Sequence, residues 1–177
     1  MIGEVYNMPP QPPVAENTRQ LPAGSITFGV EYRDVDPASL SATYADNAAY
    51  LAELHEKSPE GGFSDSGVSI HVCDTEDGHE YVRFDIFDDD PHYHYIHPTA
   101  PGAQIVNNVV AYDTVALGDM LTWTLERLRT RLPAMLEEAG AAELARRLDT
   151  DRVAAALDEV QALAEHAQAA FRAADSR

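Results

Sequence analysis

The stretch from Phe87 to Pro98 (FDDDPHYHYIHP) holds three of the chain's seven histidines. Imidazole and carboxylate groups together suit zinc, iron(II), nickel or manganese. If this stretch is a strand, alternation puts His92 and His94 on one face with side chains about 7 Å apart. That is a workable span for two ligands of one ion. Cross-strand neighbours lie about 5 Å away at Cβ, which brings Asp85, and more distantly His71, into range. The candidate metal site is therefore His71, Asp85, His92 and His94, holding one divalent transition metal. Two histidines and one carboxylate would leave positions for water or substrate. The competing reading is structural: histidine and tyrosine both suit half-buried strands, and Asp88–Asp90 suits a solvated turn. No H-E-x-x-H or EF-hand motif is present.

Arg83 is the only fixed cation among ten acidic residues in positions 61–115. It is expected to pair with Asp85 or another carboxylate, or to bind an anion. Beside it, His71 is expected to have its proton disfavoured. Cys73 is the only cysteine, which rules out an intrachain disulfide; a buried, inert thiol is expected. No G-x-S-x-G, G-x-G-x-x-G or P-loop occurs.

Elements must position these residues. Residues 67–87 form the clearest hairpin. A Glu76-Asp77-Gly78 loop pairs Val72 with Val82, Ile70 with Phe84 and Val68 with Ile86, with Gly78 in the left-handed position. On the other face Thr75 then meets His79, Cys73 meets Tyr81, His71 meets Arg83, and Ser69 meets Asp85. A loop at Asp88–Pro91 would pair Phe87 with His92, Asp85 with His94 and Phe84 with Tyr95. Ser25–Arg33 alternates as a strand. Residues 104–112, with Ile105, Val106, Val109 and Val110, make another after a turn at Pro98–Gly102.

Residues 38–57 have the three-and-four spacing of an amphipathic helix. A leucine stripe runs from Leu117 to Leu136, with a kink or break expected before Pro133. Gly140 suits a C-cap, and a short helix is expected at about 141–148. Asp149 or Thr150 caps a last helix. Its Val153, Leu157, Val160, Ala164, Ala167 and Phe171 step as a heptad seam, expected as an interface with another subunit. Residues 1–24 hold Pro9, Pro10, Pro12 and Pro13 and read as an arm, with Ile2, Val5, Tyr6 and Met8 as apolar anchors. The expected fold is α+β: an antiparallel β-meander of four to five strands packed against helices, with a long C-terminal helix. The expected division is arm 1–24, core domain 25–140 and helical extension 141–177.

The 177 residues carry 12 basic and 30 acidic groups, a net charge of −18. Nucleic acid and anionic membrane surfaces are therefore unsuitable partners. No run approaches the ~20 apolar residues of a membrane span, and no signal peptide is visible; a cytoplasmic location is expected.

The runs Gly78–Asp85, Asp88–Pro98, Gly118–Leu121 and Arg127–Pro133 resemble a family of bacterial hypothetical proteins, a domain of unknown function. The resemblance spans about residues 67–140 and implies a domain but no catalytic role. The leading functional expectation is a non-catalytic accessory or scaffold subunit, a homo-oligomer or part of a larger complex. The alternative is a metal-binding protein or metal-dependent enzyme.

Overall fold

A computed structural model describes residues 3–98 and 106–175. Ile2, Ile105 and most of the turn expected at Pro98–Gly102 lie outside the described residues. Among the described residues, seven strands form one antiparallel sheet: β1 (Glu4–Tyr6), β2 (Arg19–Ala23), β3 (Ile26–Val35), β4 (Asp65–Asp74), β5 (Glu80–Phe87), β6 (His92–Ile96) and β7 (Asn107–Ala111). Their order is β1-β7-β6-β5-β4-β3-β2. The α+β class and the long last helix are as expected, but the sheet has seven strands rather than four to five.

The two additional strands come from residues read as an arm. β1 is only three residues long. β2 contains Pro22 and shows no clean alternation, because an edge strand tolerates both. Gly24, at φ +77°, makes the tight reversal from β2 into β3. β1 and β2 occupy opposite edges of the sheet, six strand spacings or roughly 29 Å apart. Residues 7–18 therefore run as a strap across one face. Along the way the Met8 carbonyl accepts from Asn107 on β7, the Gln11 carbonyl from Arg83 on β5 and Arg33 on β3, and the Val14 amide donates to Glu31 on β3.

Strand alternation gives the sheet two unlike faces. Ile26, Phe28, Val30, Val68, Ile70, Val72, Val82, Phe84 and Ile86 form a buried apolar face. It is covered by α4 (Met120–Thr130), α5 (Leu132–Glu138), α6 (Ala142–Arg146) and α7 (Thr150–Asp175), preceded by the single turn α3 (Thr114–Leu117). The break falls at Arg131, before Pro133, and Gly140 follows α5 at φ +82°. Val153, Leu157, Val160 and Ala164 are buried in this chain's own core, and Ala167 packs against it. The seam thus faces the sheet instead of presenting a surface to another subunit. Only Phe171 is substantially exposed (44%), with its ring stacked on Tyr32 at 3.3 Å.

The other face is polar. Over it lie the strap and two helices, α1 (Pro37–Thr43) and α2 (Ala48–Lys57). The single helix expected over 38–57 is divided because Asn47 caps a new one, accepting from the Ala49 and Tyr50 amides. Met8, Tyr44 and Leu54 form a small separate core with Tyr6, Leu40, Tyr50 and Leu51. The Tyr44 hydroxyl donates to the Pro9 carbonyl and ties strap to helix. The chain is three-layered: helices, sheet, then strap with α1–α2.

Candidate metal centre

The hairpin register over Val68–Val72 and Val82–Ile86 is as expected, and Gly78 turns at φ +76°. A β-bulge beyond Val72 changes the end of the hairpin. Cys73 pairs with Glu80, not Tyr81, and the Asp74 amide donates to the His79 carbonyl in place of a Thr75–His79 pair. The bulge re-aims Glu80 toward His71 and Arg83.

The β5–β6 register differs from expectation by two residues. Asp85 pairs with His92, Phe84 with Tyr93 and Arg83 with His94. Buried Asp65 explains the wider loop: its carboxylate accepts the Asp89 and Asp90 amides, while the Asp88 amide donates to the Ser66 carbonyl. The loop is held against β4. A shift of two leaves every side chain on its expected face.

Asp85, His92 and His94 therefore converge. One ligand atom from each lies within 4.8 Å of the others. Asp85 Oδ2 is 3.0 Å from His94 Nε2 and 3.4 Å from His92 Nε2. Asp85 and His94 are buried, and the His92 side chain is 12% exposed.

Each ring's far nitrogen is fixed by an acceptor. His92 Nδ1 is 2.7 Å from the Asp90 carbonyl, which can only accept. His94 Nδ1 is 2.9 Å from Asn107 Oδ1, and the Asn107 amide nitrogen is committed to the Met8 carbonyl. Both rings donate from Nδ1. When neutral, both aim an Nε2 lone pair at a carboxylate oxygen. Three acceptors then share one point, which needs a positive charge.

Burial would raise the Asp85 carboxyl, but its contacts with the His92 and His94 rings and the charge of Arg83 hold it well below its usual range. Asp85 is thus an anion. Its other oxygen accepts from Ser69 Oγ, the partner expected from the hairpin. Burial lowers His94 and keeps it neutral. Burial also opposes charge on His92, yet Asp85 and the Asp90 carbonyl raise it. The shared positive charge is thus available from a proton on His92.

His71 lies outside this cluster. Its Nδ1 is 2.5 Å from Glu80 Oε1 and its Nε2 is 3.5 Å from Glu31 Oε2. Burial opposes its protonation, but Glu80 and Glu31 raise it, the reverse of the effect expected from Arg83 alone. Arg83 pairs with Glu80, at 2.8 Å from Nε and 2.7 Å from an outer nitrogen. Burial pushes the Cys73 thiol up to about 12, consistent with an inert cysteine.

The triad forms part of the floor of a cleft of about 390 Å³ between the polar face and the strap–helix layer. Its walls include Met8, Leu40, Tyr44, Leu54, Phe63 and Phe87. Sequence reasoning missed Glu31, Glu80, Gln11 and Asn107. Glu80 is hidden by the bulge. The other three act through tertiary contacts that leave no local spacing signal.

Residues 20–164 match a domain of unknown function, DUF7700. The chain belongs to this family. The DUF7700 match runs from β2 into α7, wider than the expected 67–140, so it takes in the β2–β3 hairpin and most of the last helix. No curated protein and no solved structure matches the chain. Among the described residues, no helix is long and apolar enough to cross a membrane.

Proposed function

We propose that this DUF7700 protein binds one divalent transition metal through Asp85, His92 and His94 and uses it on a small molecule in the cleft. The supporting observation is the pair of Nε2 atoms facing one ionised carboxylate while both Nδ1 atoms are held by acceptors. Metal-binding histidines are commonly oriented in this way. The separations fit as well. Adjacent ligands about 2.1 Å from one ion lie roughly 3.0 Å apart at right angles and 3.4 Å apart at the tetrahedral angle. Three protein ligands leave positions for water or substrate. Such an ion can polarise an oxygen or lower the pKa of bound water.

The test is reconstitution. Tag-free protein is stripped with chelator, titrated with zinc, cobalt or manganese, and assayed for bound metal. One ion per chain is expected, with loss of at least 90% in His92→Ala/His94→Ala. Retention of the ion by that variant would refute the proposal.

An accessory subunit of a cytoplasmic assembly is the second reading. The seam does not serve it, but Val115 and Leu117 on α3 and Phe171 on α7 are exposed apolar side chains. Light scattering that finds only monomer would remove its homo-oligomeric form.

A further inference from the structure

The cleft's charges and walls narrow what it would take; this inference rests on the metal reading above. Beside the triad, Arg33 and Arg83 are buried with Glu31 and Asp85, and Glu80 closes the group through its pairing with Arg83 and His71. These five fixed charges sum to −1, and a proton on His71, held between Glu80 and Glu31, balances them. A divalent ion held by neutral imidazoles then leaves the group positive. A net buried charge is costly unless a counter-charge meets it.

The chain's one lysine, Lys57, also lines the cleft. It is engaged by Glu4, Glu53 and the Val5 carbonyl and lies over the Tyr6 ring. It is therefore not poised for an anion, and the ion's open side is the place for one. Glu4 and Asp90 also line the cleft and would repel a second negative charge. Away from the triad the walls are largely apolar, with Val35, Leu40, Leu54, Phe63 and Phe87. A volume of about 390 Å³ is at the small end for a ligand pocket.

We infer that the occupant is a small monocarboxylate with an apolar tail, its head group on the metal and its tail against Leu40, Leu54 and Phe63. The ion sets a negative head, Glu4 and Asp90 hold it to one unit, and the apolar walls select the tail.

The test is calorimetric titration of zinc-loaded, full-length protein with acetate, hexanoate, hexan-1-ol and hexanedioate. Each buried methylene strengthens binding roughly fourfold. Hexanoate is expected to bind at least tenfold more tightly than acetate, hexan-1-ol or hexanedioate, and to lose that binding in zinc-free protein. Leu40→Glu places a like charge on the tail wall and is expected to weaken hexanoate at least tenfold while zinc stays at one per chain. Zinc at one per chain with hexanoate no tighter than hexan-1-ol would overturn this inference and leave the metal reading intact. Failure to take up zinc would overturn both.

Discussion

At the scale of single residues, the polar face works because each buried charge meets a partner. Arg83 is the clearest case, buried and bonded to Glu80 and the Gln11 carbonyl. Arg83→Met would leave Glu80 without its main partner, and breaking a buried pair costs about 3–5 kcal/mol. A fall of that size is expected in urea unfolding. Asn107 has a positioning role. Asn107→Leu removes the acceptor that holds His94 Nδ1 and should weaken zinc about 10- to 100-fold, with far-UV circular dichroism unchanged. His71 makes a pH signature. Its folded pKa is raised, so its contribution is complete below about 6.5 and is lost as pH rises through the folded value. Burial would raise Glu31, but hydrogen bonds from His71 and Thr18 lower it; Glu80 is lowered too, by Arg83 and His71 against its burial. Their contributions are present above about 4.3 and lost as pH falls through the lowered values. The cluster therefore stabilises most between roughly pH 4.5 and 6.5. In His71→Gln the urea midpoint should be lower at pH 5.5 and should fall less on the alkaline side than in the parent chain. An unchanged alkaline slope would count against this pairing.

At the scale of elements, what was legible depended on apolar matching. The β4–β5 register could be read because aliphatics face aliphatics only one way, and it placed Ser69 opposite Asp85 correctly. The β5–β6 register was off by two because the pull of Asp65 on the Asp88–Asp90 loop is a tertiary contact with no local pattern. The face assignment survived because strand period is two, so His92, His94 and Asp85 were still grouped. His71 was grouped with them only because the bulge that delivers Glu80 to it was invisible. In α7 the heptad spacing located the helix and its buried side but not what covers that side. Leu157, fully buried against the sheet, tests this. Leu157→Ala should cost about 2–5 kcal/mol in urea unfolding without changing the mass measured by light scattering. A change of subunit number would show that the seam joins chains.

At the scale of the whole molecule, the three-layer arrangement was the least legible part. A proline-rich terminus gives no periodic signal, yet it supplies both edge strands and the strap between them. Without that layer, the polar face would be open to water and its ion pairs would be screened. The net charge of −18 also favours cation approach. Metal binding to the folded state should stabilise it by about 2.7 kcal/mol at a hundredfold excess over Kd. For a chain of this size that corresponds to a Tm rise of roughly 5–11 °C. Scanning calorimetry with and without zinc should show this rise in the parent chain and not in His92→Ala/His94→Ala.

X-ray absorption at the zinc edge of the loaded protein tests the proposed centre most directly. Two imidazole nitrogens and a carboxylate oxygen at about 2.0–2.2 Å are expected, with the imidazole signal falling by half in His94→Ala. A spectrum with no imidazole scattering, or one unchanged by that substitution, would contradict a centre built from Asp85, His92 and His94.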